Sequence, residues 1–257
     1  MFDTYQQIFD KRAHSYHKAM RDFPQARKAE FDWVVHYLDI KASDELCDVP
    51  SGGEYLQDFV NEKHCFFNSI ETSQSFASFN VDGPRNKTHV CSFEHLALEN
   101  QSVDSLVCLA ALHHVENRPK IFAEFRRVVK PQGKILIVDV EDGSNTGRFL
   151  NIFVDKYNSM GHRGQFVDKA LINMIQNDFL VSSCDSHKFR WEFDDEQAMI
   201  SFCRGLFGLD KATDSDIMQG VREYLAPKYT TKQVSIEWGL VYILCNKKRK
   251  CCYDSAK

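Results

Sequence analysis

Two kinds of residue in this chain can do chemistry by type and spacing. The first is a run of acid and glycine, Asp48-Val49-Pro50-Ser51-Gly52-Gly53-Glu54, with a second acid, Glu71, placed 23 positions after Asp48. Glycines let backbone amides approach a ligand, and a helix opening after them offers unpaired N–H groups. An acid about 20 residues beyond such a turn is placed to accept hydrogen bonds from ribose hydroxyls. A carboxylate suits that task because charge-assisted bonds are stronger than neutral ones. The same residues also suit a plain strand-to-helix turn, and they do not decide between the two. The second kind is histidine: the adjacent His113 and His114, and His162 between glycines in Met160-Gly161-His162-Arg163-Gly164. His113 and His114 read as packing or ligand contacts rather than catalysts. His162 reads as the candidate catalytic group on the substrate side, or as an ordinary loop histidine.

These residues need a scaffold, and the hydrophobic pattern supplies one. Helices are predicted over 1–40, with one apolar stripe of Phe2, Tyr5, Ile8 and Phe9 and another of Phe31, Val34, Val35 and Leu38. Strand one falls at 45–49, a helix at 54–62, and strand two at 65–70 ends on Glu71. Further strands are expected at 88–91, 102–110 and 134–140, with an amphipathic helix at 118–129 between the last two. Beyond them come helices at 147–159 and 167–178, a strand within 179–190, helices at 194–207 and 214–225, and a long final strand at 233–245. Strands alternating with helices imply a parallel sheet with right-handed crossovers.

Composition excludes several functions. Hydrophobic residues at 43% and charged residues at 26% suit a globular chain, and a net charge of −4 gives no reason to expect nucleic acid or an anionic membrane. No apolar run approaches the roughly 20 residues that span a bilayer. The basic run Lys247–Lys250 reads as a solvated terminus. Nine cysteines are scattered, and Cys47, Cys108 and Cys245 lie in apolar strand-like runs where they act as small hydrophobes. No two pairs have zinc-ligand spacing, so no metal is expected, and a reducing cytoplasm is the expected location.

Three ordered segments carry a resemblance. Leu96-Ala97-Leu98-Glu99-Asn100-Gln101-Ser102-Val103-Asp104 is followed by Ala111-Leu112-His113-His114-Val115 and then by Phe125-Arg126-Arg127-Val128-Val129-Lys130-Pro131-Gln132-Gly133. This order and spacing resembles the class I S-adenosylmethionine-dependent methyltransferases, in the methyltransferase type 11 group. The resemblance covers about 45–140 well, with Glu124, Arg127, Lys130, Pro131 and Gly133 on its last motif. It implies an α/β, Rossmann-like, mostly parallel seven-stranded sheet with helices on both faces and an antiparallel last strand. One domain over 1–257 is then expected: a helical lid at 1–40, a cofactor-binding half at 41–140, a substrate-side helical cap insertion at 141–230, and the final strand at 231–246.

The resemblance further implies S-adenosyl-L-methionine as cofactor. Asp48 would close strand one near the methionine portion, with Pro50, Gly52 and Gly53 in the turn. Glu71 would hold the ribose, and Thr72, Ser92 and Phe93 would stand beside the adenine. Leu109, Ala110 and His114 would line the cofactor after strand four. The sequence departs from the family where Pro50 and Glu54 replace glycines and Ser92 replaces an acid; Glu54 is expected to crowd the methionine end and weaken binding. The implied activity is methyl transfer to a small-molecule acceptor, with an RNA acceptor disfavoured by charge. The alternative is a non-catalytic descendant that binds a nucleoside or a protein partner. Aromatics of the insertion such as Phe149, Phe153, Tyr157 and Trp191 either wall the acceptor pocket or form the core of the cap.

Overall fold

The computed structural model describes residues 5–60 and 64–248. The stripe of Phe2, Tyr5, Ile8 and Phe9, half of the basic run and Cys251-Cys252 fall outside the described residues or side chains. Helices α1 (Tyr5–Asp22) and α2 (Lys28–Leu38) precede β1 (Glu45–Asp48), α3 (Gln57–Val60), β2 (Phe66–Glu71), α4 (Gln74–Ala77), β3 (Asn86–Val90) and β4 (Val103–Leu109). A 3-10 turn at Leu112–His114 leads to α5 (Arg118–Val128) and β5 (Val129–Asp139). Then a helix is built from α6 (Asn145–Arg148), a π-turn at Phe149–Val154 and α7 (Asp155–Tyr157). The chain finishes with α8 (Lys169–Asp178), β6 (Phe179–Phe193), α9 (Glu196–Phe207), α10 (Asp214–Tyr224), β7 (Lys228–Tyr229) and β8 (Val234–Lys247).

The strand order is β3-β2-β1-β4-β5-β8-β6. The first four pairings are parallel, and β8 runs antiparallel to both β5 and β6. The expected seven strands are all present; an eighth, the two-residue β7, pairs with β8 at its start. The expected helix at 54–62 is reduced to α3 within the described residues, because the turn before it takes up Glu54 to Leu56.

Alternation along the central strands divides the core. Val107, Leu136 and Val138 face α1, α2 and α9, whereas Leu106, Cys108, Ile135 and Ile137 face α5 and α8. Burial on both faces is what a near-continuous apolar run in a parallel sheet encodes. The helices of the insertion are capped by side chains: Asp168 accepts from Leu171 N, Asp195 from Ala198 N, and Thr213 forms a capping box with Asp216. The aromatics of the insertion do both: Phe149 stacks on Phe153 in the core, whereas Trp191, stacked on Trp238 with centroids 4.3 Å apart, also lines a cavity above the sheet.

The motif residues after β3 and β4 do structural work. Arg127 pairs with Glu124 and donates to the carbonyls of Leu96 and Leu98, while Glu124 accepts from Leu96 N. Lys130 Nζ lies 2.7 Å from Asp104. Gly133 is a requirement of space, since a Cβ there would meet the carbonyl of Asp104 at 2.7 Å. The cysteines Cys47, Cys108 and Cys245 are buried and unpaired, as small hydrophobes. No helix among the described residues is long and apolar enough to cross a membrane.

Candidate active site

The turn after β1 is drawn tight by the acid that the spacing singled out. Glu71, fully buried at the end of β2, accepts from Ser51 Oγ at 2.7 Å and from Gly53 N at 3.2 Å, both through Oε1. Its Oε2 is buried with no hydrogen-bond partner. Burial pushes the carboxyl up to about 7; the bonds from Ser51 and the turn amides oppose this, and Glu54 adds to it. Gly52 and Gly53 have φ of +58° and +103°, which a side chain would strain. Asp48 is buried below the turn, and burial, Glu71 and Glu54 hold its carboxyl well above the usual range against the pull of Arg27.

Helix α1 roofs this turn. His17 packs at the position a Gly53 Cβ would take, its ring 3.9 Å from that of Phe79, with Nδ1 2.6 Å from Tyr55 Oη. Burial, then Arg21 and His14, push His17 down to about 4, so it is neutral. Ser73 Oγ donates to Asp10 at 2.6 Å and ties α1 to the end of β2. A buried ion pair completes the roof: Arg27 Nε donates to Glu30 at 2.9 Å, and Arg27 NH1 donates to Tyr16 Oη at 2.9 Å.

A cavity of about 120 Å³ lies between this roof and the sheet. Asp48, Pro50, Gly52, Leu109, Ala110 and His114 line it. A wider cavity of about 510 Å³ shares three lining residues with it, His113, His114 and His162. The expected site residues therefore divide. Gly53 and Glu71 form the back of the turn, and Thr72 follows with its Oγ1 buried and unpartnered. Ser92 and Phe93 are not brought to either cavity: Ser92 is exposed and accepts from Glu94 N, and Phe93 packs in the core on the α5 side. The expectation for Glu54 is corrected as well. Its φ is +65°, so it keeps the left-handed backbone of a glycine, but its carboxylate accepts from Ser69 and Thr88 rather than entering the cavity.

The histidines come together although 113 and 162 are far apart in sequence. The strand-four edge carries His113 and His114, and Gln165 N donates to the carbonyl of His113, which brings the 160–166 loop alongside. Ring centroids are 4.1 Å apart for His113–His114, 5.0 Å for His114–His162 and 5.5 Å for His113–His162. Asp139 at the end of β5 receives His113 Nδ1 at 2.6 Å and His113 N at 3.1 Å. His162 Nδ1 stands 3.1 Å from Asn151 Oδ1, on the π-turn, and its amide donates to Asp155. Burial, His113 and Arg12 hold His114 and His162 well below the ordinary histidine range, so both are neutral imidazoles. Sequence reading missed Asp139, Asn151 and the roof residues Arg12, Tyr16, Arg27 and Glu30; on helices, such charges look like a solvated face.

The sequence model of the methyltransferase domain family matches residues 48–137, the stretch from the end of β1 through most of β5. Residues 48–137 are thus similar to a methyltransferase domain. An uncharacterised methyltransferase of Schizosaccharomyces pombe is 23% identical over 112 residues, an alignment spanning 41% of this chain and 39% of that protein. The chain as a whole shares its fold with solved structures. The [4+2]-cyclase SpnF superposes with a TM-score of 0.64 at 14% identity, covering 96% of this chain and 97% of that one. Geranyl diphosphate C-methyltransferase from Streptomyces coelicolor A3(2), in complex with Mg2+, geranyl diphosphate and S-adenosyl-L-homocysteine, gives 0.55 at 13% identity, covering 91% and 85%. At such identity these neighbours establish the class I methyltransferase fold and nothing finer.

Proposed function

We propose that the protein transfers a methyl group from S-adenosylmethionine to a small-molecule acceptor seated against the three histidines. One observation carries this reading: the cavity at the glycine turn and Asp48 shares its lining residues His113, His114 and His162 with the wider cavity. The polar groups of the turn suit a ribose, but Glu71 lies behind the turn and the cavity there is about 120 Å³, so the α1 roof has to shift for the cofactor to enter. The unpartnered, buried Oε2 of Glu71 is a costly acceptor that a ribose hydroxyl would satisfy. A Cβ at Gly52 would have Tyr16 Oη, 3.7 Å away, as its nearest neighbour, so the turn leaves room for a ligand. Gly52, Gly53, Glu71, Leu109, Ala110 and His114 would hold the cofactor, with Asp48 beneath. When bound, the cofactor supplies an electrophilic methyl on a sulfonium with a neutral leaving group.

The chain's own residues then have to align the acceptor, exclude water and receive a proton. Neutral His114 and His162 accept a hydrogen bond from an O–H or N–H without repelling a cationic group nearby. The wider cavity, at about 510 Å³, is of the size that small-molecule sites occupy. The net charge of −4 argues against RNA, and a cytoplasmic location is part of the same reading. The neighbour holding S-adenosyl-L-homocysteine on this fold supports the cofactor. Calorimetry with S-adenosylhomocysteine tests the reading, followed by transfer of labelled methyl into separated small-molecule, RNA and protein fractions of a cell extract. Binding with label in the small-molecule fraction is expected; absence of binding overturns it.

A second reading, a ligand-binding protein without transferase activity, is favoured by the exposure of Ser92, which offers the adenine no acid. That SpnF is named a cyclase on this fold shows that the scaffold alone does not fix the chemistry. Binding without label transfer in any fraction would select this second reading.

A further inference from the structure

We propose that His113, His114 and His162 form a binding site for a divalent transition metal, of the zinc class, open toward the wider cavity. The ligand nitrogens of the three lie within 4.8 Å of one another. Tautomer assignment makes this cluster unlike ordinary packed histidines. His113 Nδ1 meets a carboxylate oxygen of Asp139 at 2.6 Å, so it carries the proton and Nε2 is left as a lone pair. His162 Nδ1 meets Asn151 Oδ1 at 3.1 Å. The Asn151 amide cannot be turned over, because Oδ1 also accepts from Gly164 N at 2.7 Å and Nδ2 donates to Gly164 O at 2.9 Å. His162 Nδ1 therefore carries its proton too, and its Nε2 is a second lone pair.

The single N–H of neutral His114 can serve at most one of these lone pairs. A cation among the three nitrogens engages both, and the third imidazole with them. The pattern behind the ligands supports it: Asp139 on His113 and Asn151 on His162 are the outer hydrogen bonds that orient imidazoles and raise their basicity as ligands. Tetrahedral zinc at about 2.0–2.1 Å from each nitrogen needs them about 3.4 Å apart, so modest ring rotations close the site. Arg12, Arg163 and Lys211 place positive charge nearby, and Asp139, Asp155 and Glu116 place negative charge there. Three protein ligands leave a fourth position for water or an acceptor heteroatom. Resting on the methyl-transfer reading, the metal would take the acceptor's oxygen or nitrogen as its fourth ligand and lower its pKa; with the three imidazoles occupied as ligands, the proton passes to solvent in the wider cavity.

The test is metal binding by the full chain, stripped with chelator and titrated with cobalt(II) and zinc. We expect one metal per chain and a cobalt ligand-field spectrum of nitrogen and oxygen ligands without a thiolate charge-transfer band. H114Q and H162Q should weaken binding at least a hundredfold, and D139N ten- to a hundredfold. C184S, at the exposed cysteine, should leave it unchanged. Circular dichroism verifies that each variant folds; the wild-type spectrum decides alone if one does not. A thiolate band, absence of stoichiometric binding, or equal affinity in folded H114Q and H162Q overturns the proposal. S-adenosylhomocysteine binding is measured separately, so loss of one reading leaves the other standing.

Discussion

On the proposed cofactor-binding reading, Glu71 ties cofactor affinity to pH. Replacing it by Gln keeps the shape and an oxygen for Ser51 Oγ and Gly53 N, but removes the charge on the side chain whose Oε2 has no protein partner. A ribose hydroxyl bonding to that oxygen makes one charge-assisted bond, worth about 1.5–3 kcal/mol. E71Q should therefore bind S-adenosylhomocysteine roughly ten- to a hundred-and-fifty-fold more weakly at pH 8. The carboxyl is raised to about 7 by burial, with Ser51 and the turn amides pulling down and Glu54 pushing up; Asp48, Arg27 and Tyr16 are the other ionisable groups around it. Only the ionised form accepts the hydroxyl with full strength. With about one tenth ionised at pH 6 and nine tenths at pH 8, wild-type affinity should rise about tenfold across that interval. The affinity of E71Q should not share this rise, and the ligand's own titration cancels in the ratio of the two proteins.

The same group predicts a stability profile of opposite sense. A folded-state pKa above the unfolded 4.5 contributes stability that is complete below 4.5 and lost as pH rises through about 7. The loss is about 3 kcal/mol for the ligand-free chain and is absent in E71Q. Calorimetry and urea unfolding at pH 5.5, 7 and 8.5 read both effects. A wild-type to E71Q affinity ratio that does not change with pH, or equal affinity at pH 8, would refute the ribose assignment.

Three other changes test the roof and the turn. R27M leaves Glu30 charged and buried without its partner, and should destabilise the ligand-free protein by about 3–5 kcal/mol in urea unfolding, whereas R27M/E30L should cost less than the single change. G53A forces a side chain at φ +103° into the His17 ring; a loss of about 1–3 kcal/mol is expected, of which H17A in the same chain recovers only part. E54G relieves a left-handed backbone but loses bonds to Ser69 and Thr88, so melting temperature should shift little, and S-adenosylhomocysteine affinity should stay within about twofold. Tighter binding in E54G would restore the view that this side chain crowds the ligand.

What could be seen in the sequence was set by local pattern. The strands and the turn announce themselves through β-branched runs and paired glycines, and Glu71 through its distance from Asp48. The meeting of His162 with His113 was not visible, because it depends on a bridge from Gln165 N to a carbonyl and on a π-turn that places Asn151. Neither leaves a periodic trace. Arg27 and Glu30 lie three apart on an amphipathic helix, where such a pair ordinarily faces solvent. Here the helix is folded over the sheet edge and the pair is buried. Ser92 and Phe93 lie away from both cavities for a related reason: Ser92 is exposed on the loop after β3, and Phe93 is buried on the α5 side.

The residues that reveal the family and those positioned to act on an acceptor are different sets. Glu124, Arg127, Lys130 and Gly133 clamp the 96–104 loop and the start of β5, which fixes where β4 ends and so where His113 and His114 emerge. Their contacts are all with the chain itself. Asp139, Asn151, Asp155 and His162 belong to the end of β5 and the insertion after it, outside the matched stretch, and they decide how the histidine edges are turned. Changes within 48–137 should thus act through folding and cofactor affinity. Changes at Asn151 or His162 should alter what the wide cavity accepts while leaving the cofactor turn intact. On the proposed methyl-transfer reading, the choice of acceptor rests with residues 139–166, where one hydrogen-bonded asparagine sets the tautomer of the histidine facing it.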